Sequence, residues 1–520
     1  MTAKKNPYEN LPPRVGEYIT LVLRKMGYTR EARGEVRQEL IDHFEDALRE
    51  LQTPQDRAAA GDRLIAEFGD PKVLARLIRR GKKRCRPLWK KAIVRSLQAF
   101  GVFLLVLVLY TVWFFLGRPV RSTNYLAVAN QLAQPKAPES QNAWPHYAKA
   151  SELLTTPKET EDLALEFAAG KLGGYAELTS KQKGMISTWV RENEKAWGEF
   201  AAASRMPYCW FELKTAQNDP DGLLYSTIMP GLGKVRQIGR IGVCRAQIAM
   251  ADGHAEQAIA DCLAVARAGT NFRNPNSTLI QQLVGMALGD LAFNATLLLM
   301  KENTIPPASL AQAQEQLEAM CAEGFPAIGL ELERLTFLDM VQFCYTEGGP
   351  GGGHLIPGNV IEVMESKNQD VVLAYLAALV QAGRDETVRM GQEYYRRVEK
   401  ESKLTPFQRM TSLKEDETGE SLLLSVSRTR YVFLRALMPA FNRLATMSSE
   451  NKATWEATIT VLALQRFKAQ QGRYPAGLDE LRKKMPHTDI SPIEKDPDIN
   501  KLGSLFTVNA IVNYIASKVG

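Results

Sequence analysis

Histidine is scarce in this chain of 520 residues. Its five members, His43, His146, His254, His354 and His487, stand far apart. None lies three to five residues from another and no His-Glu-x-x-His run occurs, so no helical turn presents a ready zinc pair. The glycine-rich stretches lack what a phosphate cradle needs. GGPGGGHLIPG, residues 348–358, has no Gly-Lys-Ser/Thr end and reads as a flexible loop with His354 exposed to solvent, and Gly231-x-Gly233-Lys234 reads as a helix start. Ser180 and Lys183 have the spacing of a serine–lysine pair, but the accompanying KTG and SDN motifs are missing, which leaves Ser180 as a helix cap. No alternating run is long enough for a convincing strand. No catalytic, cofactor or metal site is therefore expected.

Charge is missing in two further places, and these absences say more. Residues 71–95 contain no acidic side chain but eleven Lys and Arg, and the 22 residues 96–117, SLQAFGVFLLVLVLYTVWFFLG, contain no charge at all. At about 1.5 Å per residue that run makes a helix of about 33 Å, against a hydrocarbon core of about 30 Å. Only Ser96, Gln98 and Thr111 are polar in it, so a transmembrane helix is expected. Residues 1–70 and residues 96–520 each carry a net charge of −2, so the whole positive excess of a chain at +7 sits in one block before the span. Basic residues stay on the cytoplasmic side, and anionic headgroups attract each by about 1 kcal/mol. Arg79, Arg80, Lys82, Lys83, Arg84, Arg86, Lys90, Lys91 and Arg95 are accordingly the expected membrane-surface residues, with only Arg118 and Arg121 close behind the span. The expectation is a single-pass protein of the inner (cytoplasmic) membrane, N-terminus cytoplasmic and C-terminal domain extracytoplasmic, with membrane lipid as a partner and no nucleic acid. The 95 residues before the run, and bulky Trp113, Phe114 and Phe115 at its end, argue for an anchor and against a cleaved leader.

Residues 1–80 read as short helices with clear punctuation. One covers 15–26, and a second covers 30–51 with Val36, Leu40, Phe44, Leu48 and Leu51 on one stripe. Thr53, Pro54 and Asp56 supply an N-cap, an N1 proline and an acidic N3 for a third. Gly69 ends it, and Asp70-Pro71 starts a fourth containing Val73, Leu74, Leu77 and Ile78. The run ELIDHFEDALRE followed by RLIAEFGDPKVLARLI resembles the HAAS-type domain, a small helical module on the cytoplasmic side of membrane-anchored bacterial proteins. The likeness covers residues 13–80, centred on Phe68-Gly69-Asp70-Pro71. It implies a regulatory adaptor that meets a protein partner, with Asp42, His43, Glu45 and Asp46 on the acidic helix as the partner-binding residues, and it brings no catalytic residue.

Residues 81–95 form the basic juxtamembrane segment and residues 118–450 a large extracytoplasmic helical domain. Helices are expected at 181–203, with Trp189, Trp197 and Phe200 as core anchors, at 306–320 and 330–344, at 371–403, and at 425–471 with a kink at Pro439. LKEDETGE reads as a solvated turn. The segments 231–253 and 254–269 look like one tetratricopeptide-type hairpin turning at Asp252-Gly253, with small Ala246, Ala249 and Ala258 nearby. Residues 278–300 are apolar enough for a second span but hold Asp290, Asn294 and two glutamines, which favours a buried core helix. Cys244 and Cys262 each lie nine residues from Gly253, so they stand at similar height; buried thiols and a disulfide both fit that placement.

In residues 451–520, a helix ending LALQRFKAQQG followed by RYPAGLDEL resembles the segment after the long helix of type II pseudopilins. Gly472 would end the helix, Tyr474 pack back on it, Pro475 start the next turn, and Leu478 and Leu481 cover the seam. Residues 505–508, LFTV, could form a strand, and Asp496-Pro497 lacks the aromatic residue that usually follows in that family. The fold class expected is thus mainly α: a small cytoplasmic helical bundle, one transmembrane helix, and a large extracytoplasmic irregular bundle or solenoid. The function expected is a membrane-anchored sensor or adaptor with protein partners on one or both sides. An envelope scaffold or binding protein is the alternative, and an exported hydrolase using an acid-lined groove at Glu331, Glu333, Asp339 or His354 is a third.

Overall fold

A computed structural model of the chain describes residues 7–28, 30–84, 88–155, 158–215, 222–229, 231–303, 305–363, 379–404, 406–438 and 441–484. The described residues are mainly helical with almost no strand, and the chain divides into two units, Met1–Trp113 and Phe114–Gly520.

In the first unit, four apolar stripes make four helices: α1 (Pro13–Met26), α2 (Arg30–Leu48), α3 (Pro54–Phe68) and α4 (Pro71–Arg84). Val15, Ile19, Val22 and Met26 recur on one face of α1 and are fully buried against Val36, Leu40, Phe44 and Leu48 of α2. The expected punctuation is in place. The Thr53 hydroxyl accepts from the Asp56 N–H at 3.3 Å, Gly69 stops α3 at φ 69°, and an Asp70 carboxylate oxygen accepts from the Lys72 N–H at 2.7 Å. The Tyr18 hydroxyl donates to the Gly69 carbonyl at 3.0 Å, which ties the third turn to the first helix. Two details differ from the sequence reading. Helix α2 stops at Leu48, not 51. Of the four apolar residues expected inside α4, Leu74 and Ile78 pack on the core beside buried Ala75, whereas Val73 and Leu77 are 50% and 57% exposed.

The apolar run lies in α5 (Leu88–Phe115), which begins eight residues earlier than the charge-free stretch. Its section Ala92–Phe114 is apolar enough to cross a membrane, and the most apolar 18-residue stretch of it has a mean hydropathy of 2.2 with none of that stretch buried inside the protein. Thr111 returns its hydroxyl to the Leu107 carbonyl at 2.8 Å, which satisfies it within the helix. A second helix, Leu279–Lys301, also has the length and composition to cross a membrane, but 61% of its apolar window is buried.

The second unit continues with α6 (Tyr125–Ala133), α7 (Trp144–Leu153), α8 (Lys158–Ala168), α9 (Ser180–Glu192), α10 (Glu194–Ala203), α11 (Leu232–Ala251), α12 (Ala255–Asn271), α13 (Leu279–Glu302), α14 (Pro307–Met320), α15 (Glu331–Cys344) and α16 (Pro357–Val363). After these come α17 (Arg384–Ser402), α18 (Pro406–Ser412), α19 (Gly419–Ser425), α20 (Val432–Leu437), α21 (Phe441–Gln471) and α22 (Leu478–Lys484). A two-residue antiparallel ribbon pairs Lys214–Thr215 with Thr227–Ile228. The main core runs through α6 to α15 and α21.

The expected hairpin is formed by α11 and α12, turning at Gly253 with φ 81°. Small residues let its helices approach. A Cβ on Gly242 would come within 2.4 Å of the Trp197 ring, and one on Gly269 within 2.9 Å of the Gly285 carbonyl and the Gly289 nitrogen, where α12 crosses α13. Cys244 and Cys262 are buried, unbridged thiols. Asp290 explains itself through α21: its carboxylate accepts from Asn451 at 2.6 Å, and Asn451 accepts from Arg273 at 2.7 Å. Arg273, 5% exposed, also donates to the Pro326 carbonyl and lies over the Phe325 ring at 4.3 Å.

Several expected helices are shorter or divided. The single helix over 181–203 is two, broken at Asn193. Its fully buried amide accepts from the Thr155 N–H at 2.8 Å and donates to the Thr155 and Trp189 carbonyls at 2.7 and 2.9 Å, so a chain segment 38 residues earlier takes the place of the next helical turn. The buried anchors Trp189, Trp197 and Phe200 are as expected. The cap of α9 is Thr179, in a capping box with Gln182, and not Ser180. Residues 364–378 lie outside the described residues, and α17 starts only at Arg384, after Gly383. The expected helix 425–471 is divided too: Val426 is extended, α20 stops at Leu437, and α21 starts at Phe441, with Pro439 outside the described residues. Gly472 ends α21 at φ 71°, and Tyr474 packs on buried Phe467 and Leu481. His487, Asp496, Pro497 and residues 505–508 are outside the described residues.

The glycine crossing gives a direct test. Gly269→Ala drives a methyl into backbone that cannot move aside and should cost about 2 kcal/mol. Gly184→Ala in α9, where a Cβ meets nothing within 4 Å, should add about 0.5–1 kcal/mol. Thermal denaturation of the two variants in detergent should therefore shift in opposite directions.

Candidate functional site at the end of the apolar helix

A helix that ends leaves its last carbonyls without internal partners. At the end of α5 one of those carbonyls is met by a side chain 240 residues away. His354 Nε2 lies 3.0 Å from the Phe114 oxygen, and the imidazole stacks on the Phe114 ring with centroids 4.9 Å apart and planes 28° apart. Phe114 itself is 1% exposed and belongs to a second core cluster with Val341, Tyr345, Leu355, Tyr394 and Phe433. A carbonyl only accepts, so the proton sits on Nε2. Nδ1 then takes the Thr346 hydroxyl at 3.2 Å, while the Thr346 oxygen accepts from the His354 N–H at 3.0 Å.

The glycine-rich stretch that carries His354 is a built turn, not a flexible loop. Tyr345 bridges to Leu355, Thr346 N–H donates to the His354 carbonyl at 2.9 Å, and Ile356 N–H donates to Cys344 at 2.7 Å. Gly352 and Gly353 have φ of 76° and 139°, and a Cβ on either would strike Asp385 or the Thr346 carbonyl at 2.1 and 2.0 Å. The turn is fixed to α17 by the Arg384 N–H on the Gly353 carbonyl at 3.0 Å and by Arg384–Glu347 at 3.4 Å. His354 is consequently half-buried, contrary to the solvent-exposed loop residue expected.

The chain leaving α5 is held over the next nine residues. Gly117 passes so close to Thr346 and His354 that a Cβ would lie 2.6 and 2.7 Å from them. Pro119 bridges to Thr346, Arg121 lies over the Phe343 ring at 5.4 Å, and Gln342 donates to the Thr123 carbonyl at 2.7 Å. Gln342 is positioned by Asp339, whose other oxygen accepts from the Leu224 N–H at 2.6 Å. Burial pushes the Asp339 carboxyl up. Burial likewise lowers the His354 imidazole below its ordinary value of 6.5, against the opposing pull of the Phe114 carbonyl.

The groove of acids does not assemble. Glu331 pairs with Arg334 at 2.8 Å, and Glu333 accepts from the Leu279 N–H at 3.1 Å, capping α13; Asp339 and His354 are occupied as above. Lys183 donates to the Ala176 carbonyl instead of approaching Ser180. A shallow cleft of about 740 Å³ at the α11–α12 turn is lined by Arg245, Asp252, His254 and Glu256 and by none of those acids. Behind it Arg245 pairs with Asp261 at 3.0 Å, whose carboxyl burial pushes up to about 6. Among the described residues no cluster of three metal-ligating side chains occurs.

On the first unit, Asp42, His43 and Asp46 are exposed and Glu45 is half-buried along α2. Asp42 accepts from Gln38 at 2.7 Å, and His43 packs edge-on to Phe68 at 5.4 Å, so the histidine is partly committed to its own domain. Arg79, Arg80 and Arg95 are exposed. Arg86, and the side chains of Lys82, Lys83, Arg84, Lys90 and Lys91, lie outside the described residues. Sequence reasoning missed the socket because its two halves, Phe114 and His354, share no local pattern. It also missed Glu199, which gathers His146 at 2.6 Å and Lys149 and is held below the usual carboxylate range by both, Lys149 first.

Compared with family models, with curated proteins and with solved structures, the chain matches none.

Replacing His354 should loosen the socket without unfolding the unit. His354→Ala strands the Phe114 carbonyl, at about 1–3 kcal/mol, and hydrogen exchange of residues 112–121 should speed up accordingly. The histidine also sets a pH dependence. Its folded pKa lies below its unfolded one, so its contribution is complete above pH ~6.5 and is lost as pH falls through the lower folded value. Exchange at 112–121, corrected for intrinsic rate, should rise at acid pH in the wild type and stay flat in His354→Gln, which retains a donor for Phe114.

Proposed function

We propose that the protein is a single-pass inner-membrane adaptor, with the first unit cytoplasmic and the second extracytoplasmic, that passes the state of the outer unit to a cytoplasmic protein partner. The observation that carries this reading is the socket. A membrane-crossing helix that ended in a flexible linker would only anchor the outer unit. Here the end of α5 is stacked, hydrogen-bonded and followed by chain held at three more points, so a displacement of the outer unit moves the helix with it.

A single crossing is supported by the contrast between the two apolar helices, one unburied and one 61% buried around the Asp290–Asn451–Arg273 network. The orientation is supported by eleven basic residues just before the charge-free run 96–117 and only two close behind it. The resemblance of residues 13–80 to the HAAS-type module supports a regulatory partner at the acidic face of α2, around Asp42 and Asp46.

Two measurements test the reading. With Cys85→Ser as background, an impermeant maleimide on spheroplasts should label Glu192→Cys but not Glu39→Cys, both exposed, and position 39 should react only after permeabilisation; labelling of both from outside overturns the topology. A photocrosslinking amino acid at position 42 should then yield one discrete protein adduct in cells, lost in Asp46→Lys. No adduct beyond that of a control position on α1, Glu17, overturns the adaptor role.

A further inference from the structure

The core of the first unit uses only one side of α4. Leu74, Ala75 and Ile78 face inward, and the opposite side carries Val73, Arg76, Leu77 and Arg80 at spacings of three and four, all exposed. Two apolar side chains at least half exposed within a basic stripe are unusual on a solvated helix. Arg79 flanks the stripe and is exposed too. None of the three arginines has an acidic partner within 4 Å among the described residues.

We infer that this face of α4 docks on the anionic surface of the bilayer, with Val73 and Leu77 entering the headgroup boundary and Arg76, Arg79 and Arg80 meeting lipid phosphates. The inference rests on the reading of α5 as a span and adds the surface by which the first unit is held. Charge complementarity names the occupant: a basic stripe without acids suits an anionic lipid sheet, and interleaved apolar side chains are how interfacial helices gain hold. Covalent geometry supplies proximity, because four Cα steps from Arg84 to Leu88 keep the end of α4 within about 15 Å of the start of α5. A free helix with two apolar contacts would bind weakly, but tethering makes docking intramolecular, at millimolar effective concentration. The same sheet repels the exposed carboxylates Asp42 and Asp46 on α2.

The test uses the full chain in nanodiscs, with single nitroxide labels in a Cys85→Ser background. Sites are Val73→Cys and Leu77→Cys on the face, exposed Glu39→Cys on α2 as solvent control, and Val106→Cys in α5. In discs containing phosphatidylglycerol, labels at 73 and 77 should gain access to oxygen over a water-soluble nickel relaxant several-fold relative to position 39. That gain should vanish in pure phosphatidylcholine and in Arg76→Gln/Arg79→Gln/Arg80→Gln, each arginine contributing about fivefold in the docked population at low salt. Labels at 73 and 77 that match position 39 while 106 remains lipid-exposed would overturn the docking and leave the span standing. Water access at 106 would overturn the span itself. Protection of 73 and 77 from both relaxants would replace lipid by a protein contact and overturn the inference as stated.

Discussion

One hydrogen bond organises the region where the two units of this chain meet in sequence: the imidazole of His354 on the carbonyl of Phe114. An apolar helix solves its own backbone bonding everywhere except at its ends. At the C-terminal end of α5 the solution lies within the second unit, to which both Phe114 and His354 belong, and the neighbouring features support it. His354 can reach Phe114 only because Gly352 and Gly353 fold the turn tightly and Gly117 lets the chain pass beneath the ring. The turn keeps that shape because α15 enters it and α17 leaves it, with Tyr345 bonded to Thr387 at 3.0 Å across the two.

The second unit relies on the same device at larger scale. Polar side chains reach across long separations to satisfy backbone that regular helices leave open. Asn193 replaces a turn of helix with contacts to Thr155, Gln282 accepts from the Gly329 N–H at 2.8 Å and donates to its carbonyl at 2.9 Å, and Asn451 joins Asp290 to Arg273. Each such group is costly if left alone and specific when paired. Between them, glycines at 242, 269 and 285 bring the helices close enough for these bonds to form. The packing is therefore held in register by a few polar contacts within an otherwise apolar core.

What could be read from residue order was whatever is local. Thr53, Gly69 and Asp70 act on neighbours one to four residues away, and their caps are where the pattern puts them. The stripe of α2, the length of α5, the α11–α12 turn and the Gly472 stop are local in the same sense. The break at Asn193 was hidden because its cause is Thr155, and nothing between positions 180 and 203 interrupts the helical period. His354 was misplaced for a related reason: six glycines between 348 and 358 suggest freedom, whereas five of them have a positive φ that glycine is suited to. The exposure of Val73 and Leu77 was equally illegible, since an apolar residue on an amphipathic helix reads as buried until its neighbours are known.

The strength of the socket bears on whether α5 can respond as well as anchor. One charge-free hydrogen bond contributes about 1 kcal/mol net and an aromatic stack about 0.5–1.5. Adding the Thr346 contacts brings the clamp to about 2–4 kcal/mol, which places the released state between about a few per cent and a tenth of a per cent. A much stronger grip would make the helix a passive extension of the second unit, and a much weaker one would uncouple them. At this strength, an event in the second unit would have to favour the released state by between about thirtyfold and about a thousandfold to change which state dominates. Such an event would act through the features that hold α15 and α17 around His354 and through the close passage of Gly117, because these position the imidazole on the carbonyl.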